Sequence, residues 1–244
     1  MDAGNDIELL AWDSEFLGFG VARLLSHNIT ATALKQQIAN AQQAGAQLLY
    51  LVLSPDDYIS NAAAIKVGAA LVDRKVTFTM PVEAELAQLG IPNNIHSATT
   101  PTAQLESLAF QSGEYSRFRL DNRFVSGTYE RLYRQWLHNS LARTLAREVL
   151  VYQPAPAASE LGLLTLGIKQ GRADIGLLAV DRSARGQGVG TALVQAAQRV
   201  TATWGLTALQ VVTQQNNQPA CAFYQRCGFV VQTIEHVYHL WLPV

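Results

Sequence analysis

The run Arg185-Gly186-Gln187-Gly188-Val189-Gly190 constrains this chain more than any other feature, because it lies where an apolar strand, Ile175 to Val180, turns into a helix starting near Gly190. Glycines without side chains let a backbone approach an anion closely. The unpaired N–H groups of a first helical turn point at that anion, with the positive end of the helix dipole behind them. Two well-known phosphate-binding patterns fail here. The last glycine is followed by Thr191-Ala192 rather than Lys-Ser/Thr, which excludes a P-loop. A dinucleotide fingerprint needs a third glycine three residues on, but counting from Gly188 gives Thr191 and from Gly190 gives Leu193. What remains is Arg-x-x-Gly-x-Gly, or an ordinary strand-turn-helix whose glycines serve only tight packing.

A helix Thr191 to Trp204 and a strand Thr207 to Val212 follow, then Asn217-x-x-Ala220-x-x-Phe223-Tyr224-x-x-x-Gly228-Phe229, then a closing strand pair up to Trp241. Together with the glycine run these residues resemble the coenzyme-binding half of the GNAT N-acetyltransferases. The resemblance implies an α/β (α+β) fold with a mixed twisted central sheet flanked by helices, and acetyl-CoA as co-substrate with no metal.

In that family the strand before the loop splays from the next one and binds the pantetheine arm like an added strand. This would give Leu178, Ala179 and Val180 contacts to the arm, and their N–H groups would face the thioester oxygen. Arg185, Gly186, Gln187, Gly188, Val189, Gly190 and Thr191 would hold the pyrophosphate. Tyr224 falls at the family's general-acid position, within reach of the departing thiolate; the alternative is a core aromatic with its hydroxyl tied to backbone. Asn217 would bind cofactor or cap its helix, since Asn accepts from free N–H groups two or three residues on.

Wider likeness extends to a two-domain subfamily whose acceptors are sugar nucleotides with a ring amine. It is carried by Trp12-Asp13-Ser14-Glu15-Phe16-Leu17-Gly18, Ser116-Arg117-Phe118-Arg119, Arg134-Gln135-Trp136-Leu137 and Ile175-Gly176-Leu177-Leu178-Ala179. It implies Ser116, Arg117 and Arg119 as acceptor-binding residues. It also implies a carboxylate, Asp73, that takes the amine's proton through water. The subfamily carries a glutamate there, one methylene longer, and a solvated strand-edge Asp is the alternative. A peptide or another small amine as acceptor, and a non-catalytic acetyl-CoA-binding module, are the competing functions.

Charge narrows the partners. A formal net charge of −1 argues against nonspecific nucleic-acid binding. Seven arginines lie from Arg117 to Arg147 against Asp121 and Glu130, a local +5 that suits either a solvated helix face or a diphosphate. Cys221 and Cys227 lie six apart on one expected helix, on different faces, and read as small buried packing residues rather than a disulfide. Met1-Asp2-Ala3-Gly4-Asn5-Asp6 carries acids where a secretory leader needs basic residues. No apolar run approaches the roughly 18 residues of a membrane span, so the chain is expected in the cytoplasm, away from membranes. A homodimer through strands at the Trp241 end is expected from fold analogy alone.

The segment Met80 to Asn94 carries two prolines and turn formers and places a boundary near residue 90, dividing an N-terminal α/β domain, 1–90, from the acetyltransferase domain, 91–244. The first domain reads as strand (Ile7 to Trp12), turn, strand (Val21 to Leu25), helix (Ala31 to Ala44), strand (Gln47 to Leu53), helix (Asp57 to Val67) and strand (Ala70 to Met80). The second reads as a strand, a helix (Thr102 to Phe110), an Arg-rich loop, a helix (Tyr129 to Ala142) and three strands before the glycine loop. Gly45 to Gly68 and Gly205 to Gly228 are both 23 residues apart and bracket strand then helix, which makes the N-terminal block a degenerate half of the same architecture, with Ala64 in the place of Tyr224.

Overall fold

The computed structural model describes residues 6–243. The opening Met1–Asn5, read above as lacking a basic leader, lies outside them. The chain forms an α/β structure of two units, neither of them one continuous stretch. The first unit comprises residues 1–76, 214–216 and 233–244; the second comprises 77–213 and 217–232.

In the first unit the strand order is β1 (Ile7–Leu9), β2 (Gly20–Leu24), β3 (Ala46–Leu53) and β10 (Val230–Trp241). β1 runs antiparallel to β2, β2 parallel to β3, and β3 antiparallel to β10, with Trp241 opposite Leu48 and His236 opposite Leu53. Helices α2 (Ala31–Gln43) and α3 (Tyr58–Lys66) cover a core of Leu34, Leu49, Leu51, Leu53, Ala64 and Tyr238. Two expectations change here. The strand expected to run to Trp12 stops at Leu9, and helix α1 (Ala11–Leu17) takes the place of the turn. Trp12 and Phe16, one helical turn apart, stack at 5.3 Å, and Gly18 ends the helix at φ +80°. The closing strand pair is the single strand β10. Its Trp241 end is hydrogen-bonded to β3, so it presents no open edge on that side to a second subunit.

In the second unit the order is β9 (Ala208–Gln214), β8 (Arg172–Val180), β7 (Gly162–Lys169), β6 (Glu148–Tyr152) and β5 (Ile95–Ser97). All neighbours are antiparallel except β8 and β9. β4 (Ala70–Pro81) contributes 70–76 to the first unit and 77–81 to the second. Helices α4 (Ala103–Ser112), α6 (Thr128–Leu141) and α7 (Val189–Thr203) pack on this sheet, burying Leu105, Leu108, Leu132, Leu137 and Leu193 against Leu150, Leu163 and Leu166. Burial of this kind stabilises by about 25 cal/mol per Å² of apolar surface. The expected Arg-rich loop contains a short helix, α5 (Arg117–Leu120). Around residue 90 the chain is held inside the second unit, since the Arg199 guanidinium donates to the Gly90 carbonyl.

The glycine spacing marks a recurrence of local structure. Helix α2, β3, α3 and β4 follow one another as α7, β9, α8 (Gln218–Arg226) and β10 do. Gly45, Gly68, Gly205 and Gly228 all hold positive φ, where a side chain would be strained. Asp57 caps α3 and Asn217 caps α8 in the same manner, each accepting from the N–H three residues on.

Candidate active site

The loop between β8 and α7 is built as expected of an anion cradle. Gly186 and Gly188 hold φ +78° and +82°, and a Cβ at either would meet nothing within 4 Å. Their glycine character therefore serves the backbone turn and an open approach, not packing. Gly190 alone packs, since a Cβ there would lie 3.1 Å from the Phe223 ring. None of the N–H groups of residues 186 to 191 donates to a partner among the described residues, and the first bond into the helix is Ala192 N–H to the Gly188 carbonyl. No side chain fills the cup: the Gln187 amide folds back onto the Ser183 carbonyl, and Arg185 donates from Nε to the Val180 carbonyl at 3.1 Å. A row of outward N–H donors at the start of a 15-residue helix is the arrangement a diphosphate needs.

Beside the cradle two parallel strands part. β8 and β9 are paired at Ala173 with Leu209, Asp174 with Gln210 and Ile175 with Val211, and there the pairing ends although both strands continue. The splay implied by the family likeness is thus present. At the last rungs the Gln210 side chain donates to Asp174 Oδ1 at 2.8 Å, which sets a carboxylate at the fork. The sequence reading missed this residue; a lone acid in an otherwise apolar strand was its only signal.

One expectation narrows. Asp181 N–H donates to Leu161 and Val180 lies opposite Gly162. Antiparallel strands alternate, so the N–H of Ala179 is turned to Leu163 and cannot face a coenzyme arm, whereas the groups of Leu178 and Val180 face the open side. Leu177 N–H is also occupied, by the Thr165 hydroxyl at 2.8 Å.

Tyr224 lies on α8, which the cradle touches through the contact of Gly190 with Phe223. Its ring is wedged among Phe223, Phe229 and Phe78, at centroid distances of 5.3, 5.6 and 5.8 Å, and the residue is 5% exposed. The hydroxyl makes no hydrogen bond among the described residues, so the alternative of a phenol tied to backbone is not realised. Burial pushes its pKa well above the ordinary tyrosine value, and the nearby Cys227 and Cys221 add to the shift. The phenol is therefore held protonated and has a proton to give. Both cysteines are half-buried rather than buried, reduced, and raised in pKa chiefly by burial. Asn217 Oδ1 accepts from Ala220 N–H at 3.3 Å, which is the capping role.

Residues expected to hold the acceptor divide. The Ser116 hydroxyl is buried and accepts from Phe118 N–H at the start of α5, so it serves the backbone. Arg117 lies 4.8 Å over the Phe118 ring and is half-buried. Arg119 is exposed, its guanidinium 5.5 Å over the Tyr129 ring, and it lines a cleft of about 290 Å³ with Phe110, Gln111, Glu114, Asp181 and Arg182. The local +5 is partly offset by acids outside the stretch: Arg134 meets Glu106 and Arg143 meets Glu148, while Arg123 meets Asp121 within it. Arg134 and His138 hold the Glu106 carboxyl below the ordinary range. Counting charges along one stretch missed Glu106 and Glu148, which lie outside it. Asp73, in the first unit, is 9% exposed and hence not a solvated edge residue. No cluster of His, Cys, Asp or Glu among the described residues could hold a metal ion, and no described helix is long and apolar enough to cross a membrane.

A mixed sheet whose parallel pair parts beside a glycine-built anion cradle, with a protonated phenol on the next helix, is an arrangement suited to acyl transfer from a coenzyme thioester. Residues 160–229 match the acetyltransferase (GNAT) family. The family uses acetyl-CoA, and the unpartnered donors of the cradle suit its pyrophosphate. Among solved structures the chain is similar to a functionally unknown conserved protein from Staphylococcus epidermidis, with 14% identity and a TM-score of 0.67 over 98% of this chain and 92% of that one. It is also similar to a GCN5-related N-acetyltransferase from Sphaerobacter thermophilus, with 14% identity and a TM-score of 0.61 over 96% and 76%. A tandem GNAT protein from the clavulanic acid biosynthesis pathway shares 14% identity and a TM-score of 0.56 over 92% and 76%. At such identities these likenesses speak for the fold. No curated protein matches the sequence.

Proposed function

We propose that this chain is an acetyl-CoA-dependent N-acetyltransferase that acetylates the ring amine of a nucleotide-linked amino sugar by direct transfer, most like TDP-fucosamine acetyltransferase. The observation that carries the acetyl-CoA part is the run of unpartnered N–H groups at 186 to 191 next to the parting of β8 and β9. Acetyl-CoA supplies the activated acetyl group as a thioester. The cradle holds the negatively charged tail, and the outward N–H groups of Leu178 and Val180 hold the arm and the carbonyl oxygen. A donor preset toward a developing oxyanion contributes about 3 to 4 kcal/mol.

As the amine attacks, Tyr224 donates its proton to the leaving sulfur. With ordinary pKa values near 10 and 8.5, full transfer to a free thiolate is uphill by about 2 kcal/mol, and burial of this phenol widens the gap. Donation therefore accompanies C–S cleavage rather than following it. Asp73 is the proposed acceptor, through water, of the amine's proton.

The amino-sugar part is supported by the four short matches to the sugar-nucleotide subfamily and by Arg119, an exposed cation on the cleft suited to a diphosphate. A thiol-release assay with TDP-amino sugars, simple amines and peptides tests it. Turnover with the nucleotide sugars is expected, and turnover with peptides alone would refute the acceptor class. Binding of acetyl-CoA without transfer to any amine would instead favour a non-catalytic module.

A further inference from the structure

Asp181 directly follows β8 and caps the 3-10 turn Arg182–Ala184 that leads into the cradle. Its Oδ1 accepts from Ser183 N–H at 3.0 Å and from the Ser183 hydroxyl at 2.6 Å; its Oδ2 accepts from Gln104 Nε2 at 3.2 Å and Gln111 Nε2 at 3.4 Å. The two glutamines reach across from α4. The Ser183 hydroxyl and amide hold this carboxyl down to about 2, so it is ionised throughout the physiological range. An ionised carboxylate only accepts hydrogen bonds, and that fixes which end of each amide can meet it. Gln111 must turn its nitrogen to Asp181, which leaves its oxygen on the other side. That oxygen accepts from the Arg185 guanidinium at 3.4 Å, while Arg185 Nε donates to Val180. The guanidinium of the cradle is thus held at two points, and one of them owes its polarity to the charge of Asp181.

We propose that Asp181 and Gln111 form a positioning relay that holds Arg185 in place for the coenzyme pyrophosphate. The relay rests on the reading of residues 186 to 191 as the acetyl-CoA cradle. It also explains a feature the sequence motif does not contain, namely why α4 supplies two amides to a residue outside the glycine run. With Asn at 181 the nitrogen of that side chain becomes a donor, Gln111 flips to present its oxygen, and Arg185 loses its acceptor. Deleting the Gln111 side chain removes the same contact while leaving Asp181, Ser183 and the 3-10 turn intact.

The test is calorimetric titration of CoA into the full chain as wild type, Gln111→Ala, Asp181→Asn, Arg185→Ala and the double variant Gln111→Ala/Arg185→Ala. Gln111→Ala and Asp181→Asn are expected to weaken CoA binding about 3- to 10-fold, and Gln111→Ala is expected to cost nothing further once Arg185 is gone. With acetyl-CoA as variable substrate, KM should rise by the same factor while kcat stays within about twofold, which a general loosening of the fold would not produce. CoA binding unchanged in Gln111→Ala while Arg185→Ala weakens it would overturn the relay and leave the cradle standing. An equal loss from Gln111→Ala with and without Arg185 would overturn it too. Failure of the wild type to bind CoA would remove the cradle reading itself. Gln111 is only half-buried and solvent-facing, so its variant stays decisive even if Asp181→Asn fails to fold.

Discussion

Tyr224→Phe separates chemistry from structure cleanly, because the change removes one oxygen that no neighbour uses. The ring remains, with its contacts to Phe78, Phe223 and Phe229. Burying a hydroxyl without a hydrogen bond costs folding free energy, so its loss should be neutral or stabilising by up to about 1 to 2 kcal/mol. For a chain of this size that is a Tm change of about 0 to +6 °C. The leaving sulfur meanwhile loses its proton donor, and general-acid catalysis is typically worth about 10²- to 10⁴-fold. Calorimetric melting, CoA titration and steady-state thiol release together test the point. Expected are an unchanged or higher Tm, CoA affinity within about twofold, and kcat lower by about 100-fold or more. A kcat within twofold of wild type would refute the assignment, as would a lower Tm, which would reveal a hydroxyl that holds the core together. The proton also sets the alkaline behaviour. Since burial raises this pKa above its unfolded value, the protonated form and the stability it brings are present below about pH 10 and fade as pH rises beyond it.

Gly188→Ala forces a side chain into φ +82°, at a cost of about 1 to 2 kcal/mol, and sets a methyl over the cradle, so Tm should fall by about 2 to 6 °C and CoA affinity at least 10-fold in the same titration. Arg119→Ala should raise the acceptor KM several-fold and leave that of acetyl-CoA unchanged, which initial-rate kinetics with each substrate varied would show. Asp73→Asn should lower kcat with the acceptor amine and shift the acid limb of the pH–rate profile; an unchanged profile would remove Asp73 from the mechanism. Asp181 is held near 2 against an ordinary 3.8, so its stabilising contribution is present above about pH 4 and lost as pH falls toward 2. The melting difference between wild type and Asp181→Asn should close over that window.

The glycine run was legible because each requirement leaves a mark on residue identity. Positive φ at 186 and 188 demands glycine, and so does the close approach of 190 to Phe223. Periodicity likewise placed α2, α3, α7 and β8 within a few residues of their observed ends. What was not legible depends on pairing between distant segments. Helix α1 was read as a turn because its length is too short for periodicity to speak, although Trp12 and Phe16 one turn apart were a usable sign. The single long strand β10 was read as two because its first half is exposed and its second half buried against β3, which breaks the alternation. Ser116 looked like a ligand residue but caps α5. Ala179 looked equivalent to its neighbours, until the register with Leu163 turned its N–H away. Two acids outside the Arg-rich stretch offset part of it, and only the folded chain brings them together.

A crystal structure of the chain soaked with CoA asks the central question in one step. Pyrophosphate oxygens should lie within hydrogen-bonding distance of the N–H groups of residues 186 to 191, with the sulfur within reach of the Tyr224 hydroxyl. CoA bound elsewhere, or its thiol directed away from the phenol, would contradict both the cradle and the general acid.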